Sequence, residues 1–546
     1  MSRRGARIKS EVIRRFWLLR GALIVPLTIL FGTAAAFLLT FTLHGSFQLY
    51  WSVHSPVNAE SIAAVAFVLL ILMRASAART ERHVSARFEF MPAGAITLCA
   101  VLAFLPTVAA PLLHDSYTHV YEALHESWAQ VLETFAPRGG AFLRPIGYIS
   151  YYMDGKWAGA DPFRWHLGNV VLHAINSCLA YWLLRRLTKD RWIAVMAGLV
   201  FALHGSRPEA VAWVAARYDL LAALFVLAAL LAVDAYAETN RRSWYVPMIL
   251  SAIAAVLSKE SAYALPLLAA VMAIFKEDPA RRRTLYAAAA IGATYVLALL
   301  YRLRVLGDVG GYRVAPGQAE VLRFNALHSA KALFFREWAL LFFPLNWSAE
   351  IGIWVKFAVV LVLLALTALL AWSRIERRLL AGAILWVLAA SLPVQHLLLL
   401  GPDLAGARVL YLPVLGLALL FGLMVAGVPA GVKRWSVAAA LILFQLVALL
   451  HNEAIWRETA FASQRACRAA GEEIARDPQV VFRGLPVTRN GVFFLANGFP
   501  YCVEMNSHVK ADQARVLAGN QPAAKGQRVL EWSEQGQEWQ PALHPQ

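Results

Sequence analysis

The sequence predicts an all-α, polytopic membrane protein, and three observations carry that expectation. Hydrophobic residues fill 59% of the 546 positions and charged residues only 16%, where soluble domains carry roughly one-quarter charge. Apolar stretches of about 20 residues, enough for a helix to cross roughly 30 Å of hydrocarbon, recur along most of the chain. Clusters of Lys and Arg fall on alternate connections between them.

The first stretch, Gly21 to Leu43, follows an arginine-rich leader (Arg3, Arg4, Arg7, Lys9, Arg14, Arg15, Arg20). It is too long for a signal-peptide core and lacks a small-residue cleavage site, so it is expected to remain as a span. Further spans are expected at Ser61 to Met73, Ala93 to Leu113, Trp165 to Leu184, Trp192 to Leu203, Leu220 to Tyr236, Trp244 to Ser258 and Ser261 to Phe275. The last are Thr284 to Tyr301, Trp354 to Trp372, Leu379 to Leu397, Val409 to Val425 and Ser436 to Leu450, about thirteen in all if each crosses once.

With these spans the leader, Arg74 to Arg87, Arg185 to Arg191, Arg241 to Arg242, Lys276 to Arg283, Arg374 to Arg378 and Lys433 to Arg434 share one side, which should be the cytoplasm. The expected organisation is a cytoplasmic leader (1–20), a polytopic domain (21–451) with an outward loop (114–164), and an outward tail (452–546). The expected location is a bacterial inner membrane, with the N-terminus cytoplasmic and the C-terminus periplasmic. The net charge of +17 is accounted for by membrane lipids, whose anionic headgroups meet basic residues flanking spans, so no nucleic-acid partner is expected.

Residues 307–345 begin as a polar, glycine-bearing loop, and Ala326 to Leu345 is apolar. Counting it as a span would move Arg374 to Arg378 outside, so it is read as an outward-side interfacial helix. In the tail, Cys467 and Cys502 are the cysteines expected outside the spans. An oxidising compartment allows them to pair, although spacing alone leaves the approach of their Cα atoms open.

Polar groups beside apolar spans are costly unless paired, so each is a functional candidate. His114-Asp115-Ser116-Tyr117-Thr118-His119 begins where the third span leaves the membrane. Asp115 there could serve as a general base, or simply cap the helix that follows. His166, Asn169, His173 and Asn176 recur at helical spacing and share one face. Interhelical hydrogen bonding is the favoured role of that stripe. His166 and His173 stand two turns apart with no third ligand indicated, so no metal site is indicated there, and the cofactor stays unassigned with a divalent metal left open.

A third group runs from His204 through Glu209 to Arg217, Tyr218 and Asp219. Glu209 and Arg217 are about two turns apart, too far to touch within one helix. Smaller signals on the same side are Arg144-Pro145, Lys259-Glu260 between two closely spaced spans, and Arg408 to Pro413, including Tyr411. A guanidinium at an interface suits a phosphate, and snorkelling explains any one of them equally well.

The runs Phe163-Arg164-Trp165-His166-Leu167-Gly168-Asn169-Val170-Val171-Leu172-His173, Phe201 to His204, Pro208-Glu209-Ala210-Val211-Ala212-Trp213 and Arg217-Tyr218-Asp219-Leu220-Leu221 together resemble the membrane part of the transmembrane-and-TPR O-mannosyltransferases, of the GT-C superfamily. Phe142-Leu143-Arg144-Pro145, Ser258-Lys259-Glu260 with Pro266, and Arg408 to Pro413 extend the resemblance over roughly Asp115 to Pro413. It implies a GT-C-like, inverting glycosyltransferase that moves a sugar from a polyprenyl-phosphate donor to a glycan or protein acceptor hydroxyl at the extracytoplasmic face. Asp115 maps onto the base, Glu209 onto a supporting carboxylate, and Arg217 or Arg408 onto the residue that neutralises the phosphate.

Arg144, Lys259 and Tyr411 join Arg217 and Arg408 as donor-site candidates, with His114, Tyr117, His166, Asn169, His173, His204, Asp219 and Glu260 in support. The chain departs from the family pattern in having two spans before the one leading to Asp115, a single Asp there, Gly205-Ser206-Arg207 after His204, and a tail without TPR repeats. The alternatives from other classes are a transporter of lipid-linked glycans, which should carry an inverted repeat that is not evident here, and a non-catalytic scaffold displaying the tail.

Overall fold

The computed structural model describes residues 3–48, 52–76, 90–137, 140–315, 318–319, 325–517, 521–524 and 526–542. Among them, eight helices are long and apolar enough to cross a membrane: Ala22–His44, Val57–Arg74, Pro162–Thr188, Val214–Thr239, Ala280–Leu306, Ile353–Trp372, Arg377–Leu397 and Val432–Arg476. Five shorter apolar helices accompany them, Phe90–Ala103, Arg191–Leu203, Arg242–Val256, Glu260–Phe275 and Pro413–Ala426. Each expected span overlaps one of these helices, because in hydrocarbon a backbone must satisfy its own hydrogen bonds. The third, expected to reach Leu113, is a helix only to Ala103, with a short turn at Leu105–Val108 after it.

Local chemistry sets the helix ends. Lys189 turns left-handed (φ 56°) after Thr188, and Asp190 then accepts a 3.1 Å bond from the Ile193 amide to start the next helix. Small residues set the packing. A Cβ on Gly422 would lie 2.6 Å from the Ile193 carbonyl oxygen, so Pro413–Ala426 and Arg191–Leu203 approach as closely as backbones allow.

Basic residues gather at one end of the bundle. Arg186 and Lys276 both pair with Asp234, Lys276 reaches Glu238 at 2.5 Å, and Arg378 donates to the Lys276 carbonyl at 2.6 Å. Most of the expected Arg74 to Arg87 cluster, residues 77–87, lies outside the described residues.

The segment expected to lie in the interface is buried over its second half, Arg336 to Leu345, whereas Leu327 and Phe334 in its first half are exposed. It forms Ala326–Lys331, a π turn at Ala332–Arg336, and Glu337–Phe342. Trp338, Leu340, Leu341 and Phe342 are buried, and the Phe342 ring packs on Phe67 and Phe421 at 5.4 and 5.2 Å. An interfacial helix needs a solvated polar face. Here Arg336 points inward, donating to the carbonyls of Leu400 and Gly401 and pairing with Glu60, which also accepts 2.7 Å from Trp347 Nε1.

Val432–Arg476 continues past the bundle as the spine of the C-terminal region. Cys467 on this spine and Cys502 in helix Phe499–Asn506 form a disulfide, with Cα atoms 5.9 Å apart. Strand Val481–Arg483 pairs in parallel with Val529–Ser533, which pairs antiparallel with Glu538–Pro541. A separate hairpin joins Thr488–Arg489 to Val492–Phe493. Asn490 and Gly491, both at positive φ (47° and 78°), form its turn, as an Asn-Gly pair favours.

Candidate active site

At the end opposite the basic clusters lies a cavity of about 370 Å³ with two kinds of wall. Leu299, Val394, Leu397 and Val409 contribute an apolar side, and Arg144, Asp219, Lys259, Glu260, Arg302, Tyr312 and Arg408 a charged head. These residues come from segment ends. Arg144 precedes helix Pro145–Ala158, Lys259 joins two helices, and Arg408 lies in the 3-10 turn Ala407–Leu410.

The charges are interlocked. Lys259 pairs with Asp219, and Arg408 with Glu209. Arg144 grips Glu260 through Nε (3.1 Å) and Nη2 (2.6 Å), while Arg302 Nη1 takes its other oxygen at 3.0 Å. Arg408 Nη2 also donates to the Tyr312 hydroxyl at 3.2 Å. Among the described residues, four cationic side chains thus face three carboxylates, which leaves one positive charge in excess.

Burial pulls the Lys259 ammonium down, resisted by Asp219 and reinforced by Arg408 and Arg144. Burial would lift the Tyr312 phenol, yet Arg408, Lys259 and Arg144 hold it below its ordinary value. Burial raises Glu209 against the opposing pull of Arg408.

Asp115 opens helix Asp115–His125 but is not its cap. The cap position belongs to His114, whose side chain makes no capping bond. His114 has φ 51°, a conformation that costs a non-glycine residue on the order of 1–3 kcal/mol and that clusters at functional sites. Its Nε2 lies 3.2 Å from Asp115, whose side chain is 32% exposed. The His114 ring stacks on Phe493 at 5.3 Å and lies 5.9 Å from Trp213. The Arg408 guanidinium sits over Trp213 at 5.0 Å, so one aromatic cluster links Asp115 to the head of the cavity. Burial and Arg408 lower the His114 imidazole, with Asp115 opposing.

Several candidates lie elsewhere. Arg217 is not part of the cavity wall; it is buried, paired with Asp154, and bonded to Asn169 Oδ1 (2.9 Å) and the Trp165 carbonyl (3.1 Å). Tyr411 turns into the bundle, its hydroxyl 2.7 Å from His173 Nδ1 and accepting 3.3 Å from Asn176. The polar stripe is spent on carbonyls of neighbouring helices: Asn169 on Val211 and Trp213, His173 on Ala202, Asn176 on Leu220, and His166 weakly on Pro111. His204 bridges Ser206 and the Leu341 carbonyl, and Tyr117 accepts from Asn506 at 3.4 Å. Among the described residues no group of three His, Cys, Asp or Glu stands together as metal ligands.

Arg302, Tyr312 and Phe493 were not singled out from the sequence. Arg302 closes an apolar helix and reads as a snorkelling end, whereas the Asn490-Gly491 turn flags the hairpin that carries Phe493.

No protein-family model matches the chain. A 164-residue stretch is 30% identical to "Protein O-mannosyl-transferase TMTC2" of Mus musculus, covering 29% of this chain and 19% of that protein. A 119-residue stretch is 32% identical to "Protein O-mannosyl-transferase Tmtc1" of Drosophila melanogaster, covering 22% of this chain and 14% of that protein. The chain therefore spans under a fifth of the length of these curated relatives. The crystal structure of ArnT from Cupriavidus metallidurans bound to undecaprenyl phosphate aligns over 83% of this chain and 94% of its own, with 15% identity and a TM-score of 0.38. This integral membrane chain is thus similar, over less than a third of its length, to the protein O-mannosyl-transferases.

Proposed function

We propose that the protein is a GT-C type membrane glycosyltransferase that takes a sugar from a polyprenyl-phosphate donor to an acceptor hydroxyl at the extracytoplasmic face, its N-terminus lying in the cytoplasm. The observation that carries this reading is the amphipathic cavity, an apolar wall ending in an excess of positive charge. That combination suits an isoprenoid chain capped by phosphate, because apolar burial holds the chain and guanidinium forks hold the anion. The O-mannosyl-transferase names of the sequence relatives support sugar transfer to a hydroxyl.

In this reading the acceptor hydroxyl attacks the anomeric carbon and forms the new C–O bond as the bond from that carbon to the phosphate oxygen breaks. The configuration inverts, Asp115 takes the hydroxyl proton, and the released polyprenyl phosphate keeps the bonding electron pair. Arg408, Arg144 and Lys259 stabilise the charge developing on the phosphate, the kind of term that usually dominates such catalysis. Glu209 orients Arg408 and does not itself move a proton.

The test is transfer from a panel of polyprenyl-phosphate sugars by the full chain in nanodiscs. Wild type should transfer, and Asp115→Asn, inserted and folded to the same extent, should lose about 10² to 10⁴ in rate. Retained transfer by Asp115→Asn would remove Asp115 from the role of base.

A further inference from the structure

The C-terminal region does more than follow the bundle, because several of its residues lock onto the segment that carries Asp115. A Cβ on Gly498 would lie 2.1 Å from the His114 carbonyl oxygen, so only glycine permits that approach. Asn506 donates to the Tyr117 hydroxyl, and Thr118 Oγ1 donates to the Asn497 carbonyl at 3.4 Å. The hairpin tip is fixed as well: Asn346 donates to the Asn490 carbonyl at 2.7 Å, and Gly491 packs on the Asp403 carbonyl. Between these two attachments Phe493 stacks on His114 (5.3 Å, 19°) and on Trp213 (5.2 Å, 27°), and lies 5.6 Å from the Arg408 guanidinium.

We propose that Phe493 is a positioning residue for the outward site: its ring holds the His114 imidazole beside Asp115 on one hand and the Arg408 guanidinium at the cavity head on the other. The C-terminal region is then a working part of the site, and this inference rests on the transfer reading above. Aromatic stacking fixes ring orientation, and a guanidinium over a ring gains from the negative π face. Small displacements of such supports cost rate out of proportion to their distance from the chemistry. The charged or titratable groups facing His114 are Asp115 and Arg408, so loosening the Phe493 ring alters how both act on the imidazole.

The experiment uses the full chain in nanodiscs with Phe493→Ala, Phe493→Leu and Phe493→Trp, and Val487→Ser on the exposed flank of the same hairpin as control. Two readouts are taken: kcat for transfer, and the pH dependence of diethyl pyrocarbonate modification at His114, followed by mass spectrometry. Phe493→Ala should lower kcat about 100-fold and move the His114 titration up toward the ordinary imidazole value. Phe493→Leu, which keeps apolar bulk in case the alanine variant does not fold, should shift both in the same direction, and Phe493→Trp should restore both. Unchanged kcat in Phe493→Ala or Phe493→Leu, or an unmoved His114 titration, overturns the inference. If wild type transfers no sugar at all, the transfer reading fails, and the His114 titration still decides whether Phe493 holds that ring.

Discussion

Arg408 and Glu209, 199 residues apart in the chain, form a buried ion pair at the head of the cavity. Removing one partner of such a pair strands a charge, which typically costs about 3–5 kcal/mol. Arg408→Ala should therefore lower both the unfolding temperature and the affinity for undecaprenyl phosphate. Arg408→Lys keeps the charge but loses the planar fork that also reaches Tyr312. It should largely preserve thermal stability while weakening lipid-phosphate binding about tenfold or more, measured by titration in detergent.

Arg217 should behave in the opposite way. Its guanidinium is paired with Asp154 and lies outside the wall of the cavity beside Arg408, so Arg217→Ala should destabilise the fold by about 3–5 kcal/mol. Arg217→Lys, in whatever fraction folds, should bind undecaprenyl phosphate like wild type. Equal losses of binding in Arg217→Lys and Arg408→Lys would return Arg217 to the donor site.

The buried imidazole of His114 gives a pH dependence with a definite sign. Its folded value is depressed, so below about pH 6.5 the unfolded chain binds a proton that the folded chain resists. Stability should fall as pH drops from about 6.5 through the folded value and be fully retained above. His114→Asn should flatten that part of the profile, read as unfolding temperature against pH between 7.5 and 5. A profile identical to wild type would mean that His114 is not held neutral.

Opening the Cys467–Cys502 bridge releases a loop spanning 35 residues. The Cys467→Ser, Cys502→Ser double variant should lose about 3–4 kcal/mol by the chain-entropy estimate for such a loop. Denaturant unfolding of the full chain would report it, and a change below 1 kcal/mol would show that the other contacts of the tail suffice.

How much of this was readable from the sequence depends on what each residue needs in order to be placed. The spans were legible because hydrocarbon demands long apolar helices, and Arg186 or Lys276 marked one end because charge clusters are local in sequence. Arg144, Lys259, Glu260 and Arg408 stood out as charges beside apolar segments, and the structure gathers them. Which carboxylate each cation meets was not legible, since Arg408 and Glu209 meet only after the helices between them pack. Packing turned Tyr411, between the turn Ala407–Leu410 and the helix Pro413–Ala426, toward His173 and away from the cavity, a choice that spacing cannot report. Residues 326–345 read as interfacial because composition does not reveal that Glu60 awaits Arg336 inside the bundle.

The cavity beside Arg408 is proposed to receive the lipid donor. Electron cryomicroscopy of the full chain in nanodiscs with undecaprenyl phosphate tests it most directly. The expected result is phosphate density within hydrogen-bonding reach of Arg408 and Lys259, with the isoprenoid chain running past Leu299, Val394 and Leu397. A phosphate bound instead at the opposite end of the bundle, among Lys276 and Arg378, with this cavity lacking lipid density, would contradict it.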